Sequence, residues 1–320
     1  MKAAQSFLAM SMALSLVAGA AAPTEPTFPA HALRIAVPFT AGGPSDAVAR
    51  VVGEALEKSL GQPVVVENKP EADGAIASAA VAGAAADGYT LLWGTSSALV
   101  AAAALQKSAH GADSFAPIAA VGAFTFALSV NAEIPAKTVA ELVAHARQQS
   151  QPLNYATGAM GEHMAATQFM QATGIRMVRV PYKGGTALMS DLVAGRVHVN
   201  FGPLSLHLPH AKEGRLRLLA ILSPQRAVAV PDVPTLAEAG VPGVSVPTWQ
   251  ALLAPAKTPP GVIERLAQDL QQALRDSELR TRLERHHLQI DEQATPEVLA
   301  AILRQDRQTW ERFLRDKPTP

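Results

Sequence analysis

Two short runs of small and hydroxyl-bearing residues could do chemistry in this chain: Thr40-Ala41-Gly42-Gly43-Pro44-Ser45-Asp46 and Gly94-Thr95-Ser96-Ser97. Residues this small let a solute reach the backbone. The first run also opens a helical pattern, whose first-turn N–H groups lack intrahelical partners. The chemistry offered is anion binding by amides and hydroxyls. A serine or aspartate N-cap on the helix is the competing local use of the same residues. Neither run carries the Gly-Lys-Ser/Thr of a P-loop or the Gly-x-Gly-x-x-Gly of a dinucleotide site, so a nucleotide is not indicated.

Covalent and metal chemistry find less support. Ser96 and Ser97 follow a strand pattern, but the Gly-x-Ser-x-Gly elbow of an α/β hydrolase is missing. The chain has no cysteine, which excludes disulfides, thiolate nucleophiles and Cys-ligated zinc. His286 and His287 are adjacent and would face different directions on a helix. His207 and His210 could share a face, but no third ligand accompanies them, and they read as surface residues. The expectation is a protein without catalytic residues, metal or cofactor, with an exported hydrolase as the less favoured alternative.

Both runs need elements to hold them. Leu33, Ile35 and Val37 alternate into Pro38, and Val48, Val51, Val52, Ala55 and Leu56 line one helical face that Gly61 closes. The first run therefore joins a strand to a helix, at the strand end where open α/β sheets bind ligands. The second follows the strand pattern ending at Trp93. Downstream, short β-branched runs alternate with helical stretches, the mark of a mostly parallel sheet. The region 131–222 has its own alternation, and Leu218–Leu222 reads as a strand returning to the first unit. After a Pro-rich stretch the chain ends in helices that begin near Pro260 and Pro296. This predicts two α/β lobes, residues 31–130 with 223–320 and residues 131–222, closing on a cleft by hinge motion.

Lys2 followed by the apolar run Phe7–Ala18 and by Ala18-Gly19-Ala20 has the form of a signal peptide, here taken as residues 1–22. The run is short for a membrane span, and no later stretch approaches ~20 apolar residues, so export to the periplasm without membrane insertion is expected. Lys plus Arg equals Asp plus Glu at 27 each. Nothing in that balance, or in the interleaved charges of 275–285, favours nucleic acid as a partner.

The segments VPFTAGGPSDAVAR, VVVENKP, DGYTLLWGTSS, FAPIAAVG, VPYKGG with DLVAGRVHVNF, GRLRLLAI, VPDVPTLAEAGVPG and LLAPAKTPP occur in this order. As an ordered set they resemble the extracytoplasmic solute receptors of the Bug family, the binding components of tripartite tricarboxylate transporters. The resemblance implies a type II periplasmic-binding-protein fold: two α/β lobes with a ligand cleft between them. It also implies capture of a small organic acid or amino acid for a membrane permease, or alternatively for a sensor protein.

The family's ligand-contact positions fall here on Phe39, Thr40, Gly42, Gly43, Ser45 and Asp46 of the first loop and on Thr95 and Ser96 of the second. From the second lobe they fall on Tyr155, Thr157, Gly161, His163, Tyr182, Lys183, Gly184 and Asp191. Glu162 departs from the family pattern, which has a small hydroxyl residue there, in a loop that is two residues shorter. A helix-start glutamate commonly faces solvent, and that is the expectation. Turned into the cleft it would instead repel a second carboxylate and attract an ammonium group. Glu71 and Asp73 replace family glycines and read as surface-turn residues. Di- and tricarboxylates, aromatic acids and amino acids are all compatible ligands.

Overall fold

The computed structural model describes residues 28–70, 72–106 and 110–316. The signal-peptide expectation falls outside them, as does Glu71.

In chain order the elements are β1 (Leu33–Val37), α1 (Pro44–Leu60), β2 (Val64–Asn68), α2 (Ala75–Ala82), β3 (Thr90–Thr95), a π-helical turn (Ser96–Ala101) running into α3 (Ala102–Gln106), and β4 (Phe115–Phe124). Then follow β5 (Phe126–Asn131), α4 (Val139–Gln148), β6 (Leu153–Thr157), α5 (Met160–Thr173), β7 (Met177–Pro181), α6 (Gly185–Val193), β8 (Val199–Pro203), α7 (Leu204–Lys212) and β9 (Leu216–Ile221). The chain closes with β10 (Trp249–Pro255), α8 (Pro260–Ala273), α9 (Ser277–Glu284), β11 (Leu288–Ile290) and α10 (Pro296–Arg315).

Two sheets result. One has the order β11-β4-β10-β3-β1-β2 and the other β7-β6-β8-β5-β9. In the first, β1 lies parallel between β2 and β3, and β10 runs antiparallel between β3 and β4. In the second, β6 lies parallel between β7 and β8, while β5 runs antiparallel between β8 and β9. Each sheet is therefore parallel on one side and antiparallel where the chain enters or leaves the other lobe. α1 shows why the first lobe forms: Val48, Val51, Val52, Leu56 and Leu60 bury one stripe against β1 and β2, and Gly61 ends the helix at φ +68°.

The crossover points differ from the sequence expectation. Residues 126–130, placed with the first lobe on sequence, pair in the second sheet with β8 and β9. Leu218–Leu222, expected to return the chain to the first lobe, belongs mostly to β9 of the second. The segment after it stays there as well: Thr235 bridges Ile221, and Leu236, Val241 and Val244 join the second lobe's core. The chain thus crosses at Thr125 and again near Pro247, where Thr248 Oγ1 donates to Phe124 O at 2.8 Å and ties the two crossings together. A buried strand is apolar whichever sheet receives it, so composition could not set these boundaries.

Candidate functional site

The loops after β1 and β3 meet those of the second lobe across a closed cleft. Its walls include Phe39, Thr40, Gly43, Ser45, Thr95, Ser96 and Ser97 from the first lobe and Gly158, Ala159, Glu162 and Gly184 from the second. Phe124, Phe126, Pro203, Leu206, Pro247 and Trp249 supply an apolar surround. The space inside is about 70 Å³. At roughly 10–15 Å³ per water by the same measure, that suits a small solute or a few waters.

The first-lobe side of this space is rich in donors. α1 starts at Pro44 behind Gly43, and no side chain caps it. Neither the serine nor the aspartate N-cap considered on sequence forms. Instead, Asp46 reaches back: Gly42 N–H donates to its Oδ2 at 2.9 Å, Asn68 Nδ2 donates to its Oδ1 at 2.8 Å, and Arg50 pairs with it at 2.9 Å. Burial pushes the Asp46 carboxyl up, but these partners together outweigh burial and hold it below the usual carboxylate range. The loop is thereby fixed while the α1 terminus stays open to the cleft. Gly42 sits at φ +77°, which favours glycine.

The second loop is fixed from behind. Thr95 Oγ1 accepts from Ala98 N–H, and Ser96 Oγ donates to Asp306 Oδ1 at 3.1 Å while accepting from Trp310 Nε1 at 2.8 Å. Trp249 Nε1 donates to the other Asp306 oxygen at 2.8 Å. Burial pushes the Asp306 carboxyl up to about 6. Gln250 Oε1 accepts from Ser45 Oγ at 2.9 Å and from Trp93 Nε1 at 3.0 Å. The Ser45 and Ser96 hydroxyl protons are thus committed within the protein, and Thr40, Thr95 and Ser97 are the hydroxyls left to donate.

The second-lobe side is built differently. Glu162, the third residue of α5, is only 4% exposed, and its carboxylate turns back onto the N–H groups of Gly158 and Ala159 and onto Asn200 Nδ2. The expectation of a solvent-facing glutamate is corrected: the α5 terminus caps itself with this side chain, in the manner of a capping-box residue, and the cleft closes over it. Burial pushes its carboxyl up to about 7. Behind it, Asn200 Nδ2 donates to Ala156 O at 2.9 Å, which leaves Asn200 Oδ1 to accept from His207 Nε2 at 2.6 Å. His207, read as a surface residue on sequence, is fully buried, and burial pushes its imidazole down to about 3.

The family model described as the tripartite tricarboxylate transporter family receptor matches residues 48–315. The chain belongs to this receptor family. It is 37% identical over 263 residues to the protein BugT of Bordetella pertussis, covering 80% of this chain and 81% of that one. MatC of Rhodopseudomonas palustris, solved with bound malate, superposes with a TM-score of 0.83 at 32% identity, covering 89% of this chain and 99% of its own. A structure described as a periplasmic transporter superposes with a TM-score of 0.85 at 33% identity, covering 90% and 98%. The receptor is a solute-binding protein of two lobes, and its family and neighbours are binding proteins rather than enzymes.

Within this receptor, eight of the residues singled out on sequence line the cleft: Phe39, Thr40, Gly43, Ser45, Thr95, Ser96, Glu162 and Gly184. Gly161 lies at its edge, where its N–H donates to Ser97 Oγ across the lobes at 2.9 Å. The others stand back from it. Gly42 and Asp46 brace the first loop from behind. Tyr155 OH bonds His163 Nδ1 at 2.9 Å, and His163 packs edge-on against Phe313 of α10. Thr157 Oγ1 accepts from Arg179 Nε at 2.9 Å. Tyr182 OH donates to Asp191, which also holds Arg196. Lys183 lies with Tyr182 in the adjoining groove.

The sequence reading missed Ser97 as a site residue, together with the apolar wall and Asp306. Ser97 stands in the run already flagged. The rest arrive from β4, β5, β8, α7, the loop before β10, β10 and α10, with no local motif to announce them.

Proposed function

We propose that this receptor captures a small carboxylate-bearing solute in the periplasm and delivers it to the membrane permease of a tripartite tricarboxylate transporter. One observation carries the ligand class: the uncapped α1 terminus and the Thr40, Thr95 and Ser97 hydroxyls line one enclosed, otherwise apolar space. The ligand carboxylate sits there without a cation, in keeping with a lining that holds no Lys or Arg among the described residues. Malate bound to MatC supports the same class. The leader-like N-terminal pattern and the receptor family support the location and the permease partner.

A thermal-shift screen against mono-, di- and tricarboxylates, aromatic acids and amino acids tests this reading. A ligand at 100 times its dissociation constant adds ~2.7 kcal/mol of stability. A saturable shift, with the ligand recovered unchanged, is expected for at least one carboxylate. Turnover of the ligand, or stabilisation only by solutes without a carboxylate, sinks the reading.

A further inference from the structure

The two sides of the cleft differ in a way that selects among carboxylates. The N-termini of α1 and α6, brought together where Gly184 approaches Thr40, carry no side-chain cap. The start of α5 instead holds the Glu162 carboxylate, covalently part of the chain and buried at the cleft wall. An ionised carboxylate offers about four acceptor positions. Gly158 N–H, Ala159 N–H and Asn200 Nδ2 occupy three, which leaves acceptor capacity toward the cleft.

Among the described residues no Lys or Arg lines the space, and Arg179, the cation that acts on Glu162 from behind, engages Thr157 and Met160 instead of the carboxylate. His207 reaches Glu162 only through Asn200 and is neutral in its buried position. A second ligand carboxylate beside Glu162 would therefore meet a like charge in a space that Phe126, Pro203 and Leu206 also line, where repulsion is little screened.

We infer that this cleft takes a monocarboxylate with an apolar body whose far end presents an N–H or O–H donor to Glu162, and that Glu162 excludes a second carboxylate. The inference rests on the carboxylate reading of the first-lobe end proposed above. It makes Glu162 the specificity-determining residue of the receptor.

Matched pairs test it: succinate against succinamate and adipate against adipamate, which keep length and shape while one carboxylate becomes an amide. Calorimetric titration of the signal-free chain at pH 8 is expected to show each half-amide binding at least about tenfold more tightly than its diacid. Glu162→Gln keeps a carbonyl acceptor for the Gly158 N–H while removing the charge, and should bring each pair to within about threefold. A wild-type preference for the diacids, or an unchanged ratio in Glu162→Gln, overturns the inference and leaves the carboxylate reading standing. Failure of every carboxylate to bind overturns both. The wild-type ratio decides the matter by itself should the variant fail to fold.

Discussion

The loops after β1 and β6 are built alike and charged oppositely in effect. Each leads a strand into a helix, and each buries a carboxylate in that helix's first turn: Asp46 in α1 and Glu162 in α5. Asp46 lies behind its loop, with Arg50 and Asn68 as partners, and is held ionised. Glu162 lies at the cleft wall with amide donors alone and has its proton affinity raised. The same residue chemistry thus makes one loop a brace that leaves its helix terminus free for a ligand, and the other a plug that occupies its own. Both are the third residue of their helix and both accept the N–H of the residue four back, so what separates them is access to a cation and to the cleft, not position.

The largest expected consequence is a stability profile of opposite sign for the two groups. Glu162 has a folded value near 7 against an unfolded value of 4.5. Its contribution is full below pH 4.5 and lost as pH rises to about 7, a swing of about 3 kcal/mol. Asp46 is lowered from 3.8, so its contribution is present above that pH and lost as pH falls through its folded value. Urea unfolding from pH 4.5 to 8 checks this: the stability of the wild type minus that of Glu162→Gln should fall by about 3 kcal/mol across that range. A constant difference would show that Glu162 ionises freely in the fold and would erase the contrast.

Removing the brace comes next. Asp46→Ala leaves the Gly42 N–H and Asn68 amide without their acceptor and frees Arg50. About 2 kcal/mol of stability should be lost, since two part-buried hydrogen bonds at roughly 1 kcal/mol net each disappear and Arg50 is half in solvent. Carboxylate affinity should fall with it as the first loop loosens. Unaltered affinity at reduced stability would mean that this loop stands apart from the ligand.

Gly184→Ala probes the contact between the lobes. Gly184 has φ +118°, and a Cβ there would come within 2.7 Å of Thr40 Oγ1 across the cleft. Closure should then be held ajar, with affinity reduced about tenfold and the separate lobe cores intact. Small-angle scattering of the ligand-saturated variant is expected to show a larger radius of gyration than the saturated wild type.

Legibility followed the range over which each feature is determined. The first loop could be read because strand, turn and helix are contiguous from Leu33 to Gly61, and the α1 apolar stripe has the helical period. The lobe boundary at β5 could not, because the mostly apolar stretch 126–130 suits either sheet and its partners lie some 70 to 90 residues downstream. Glu162 was singled out on sequence, but its burial depends on Asn200, Gly202 and the opposite lobe packing over it. A helix-start glutamate looks the same buried or exposed. The apolar wall was silent for the same reason: Phe124, Pro203 and Trp249 meet only after both sheets have formed.

Ser97 offers the finest test of how far the two loops depend on one another. Its hydroxyl accepts from the Gly161 N–H, a first-turn donor of α5, and thereby links the second loop of one lobe to the self-capped helix of the other. Its own proton remains available to a ligand carboxylate at the α1 end. Ser97→Ala removes both roles at a residue that contributes little to either core. The net value of one such hydrogen bond is about 1 kcal/mol, so affinity should fall about fivefold for each role lost, roughly thirtyfold for both. The same variant leaves the Gly161 N–H unpaired only when the lobes are closed, so most of the loss should enter as faster ligand release. Stopped-flow dissociation distinguishes the two roles. A release rate raised several-fold with an unchanged association rate identifies Ser97 as a latch on the closed state, whereas equal effects on both rates would place its contribution in ligand contact alone.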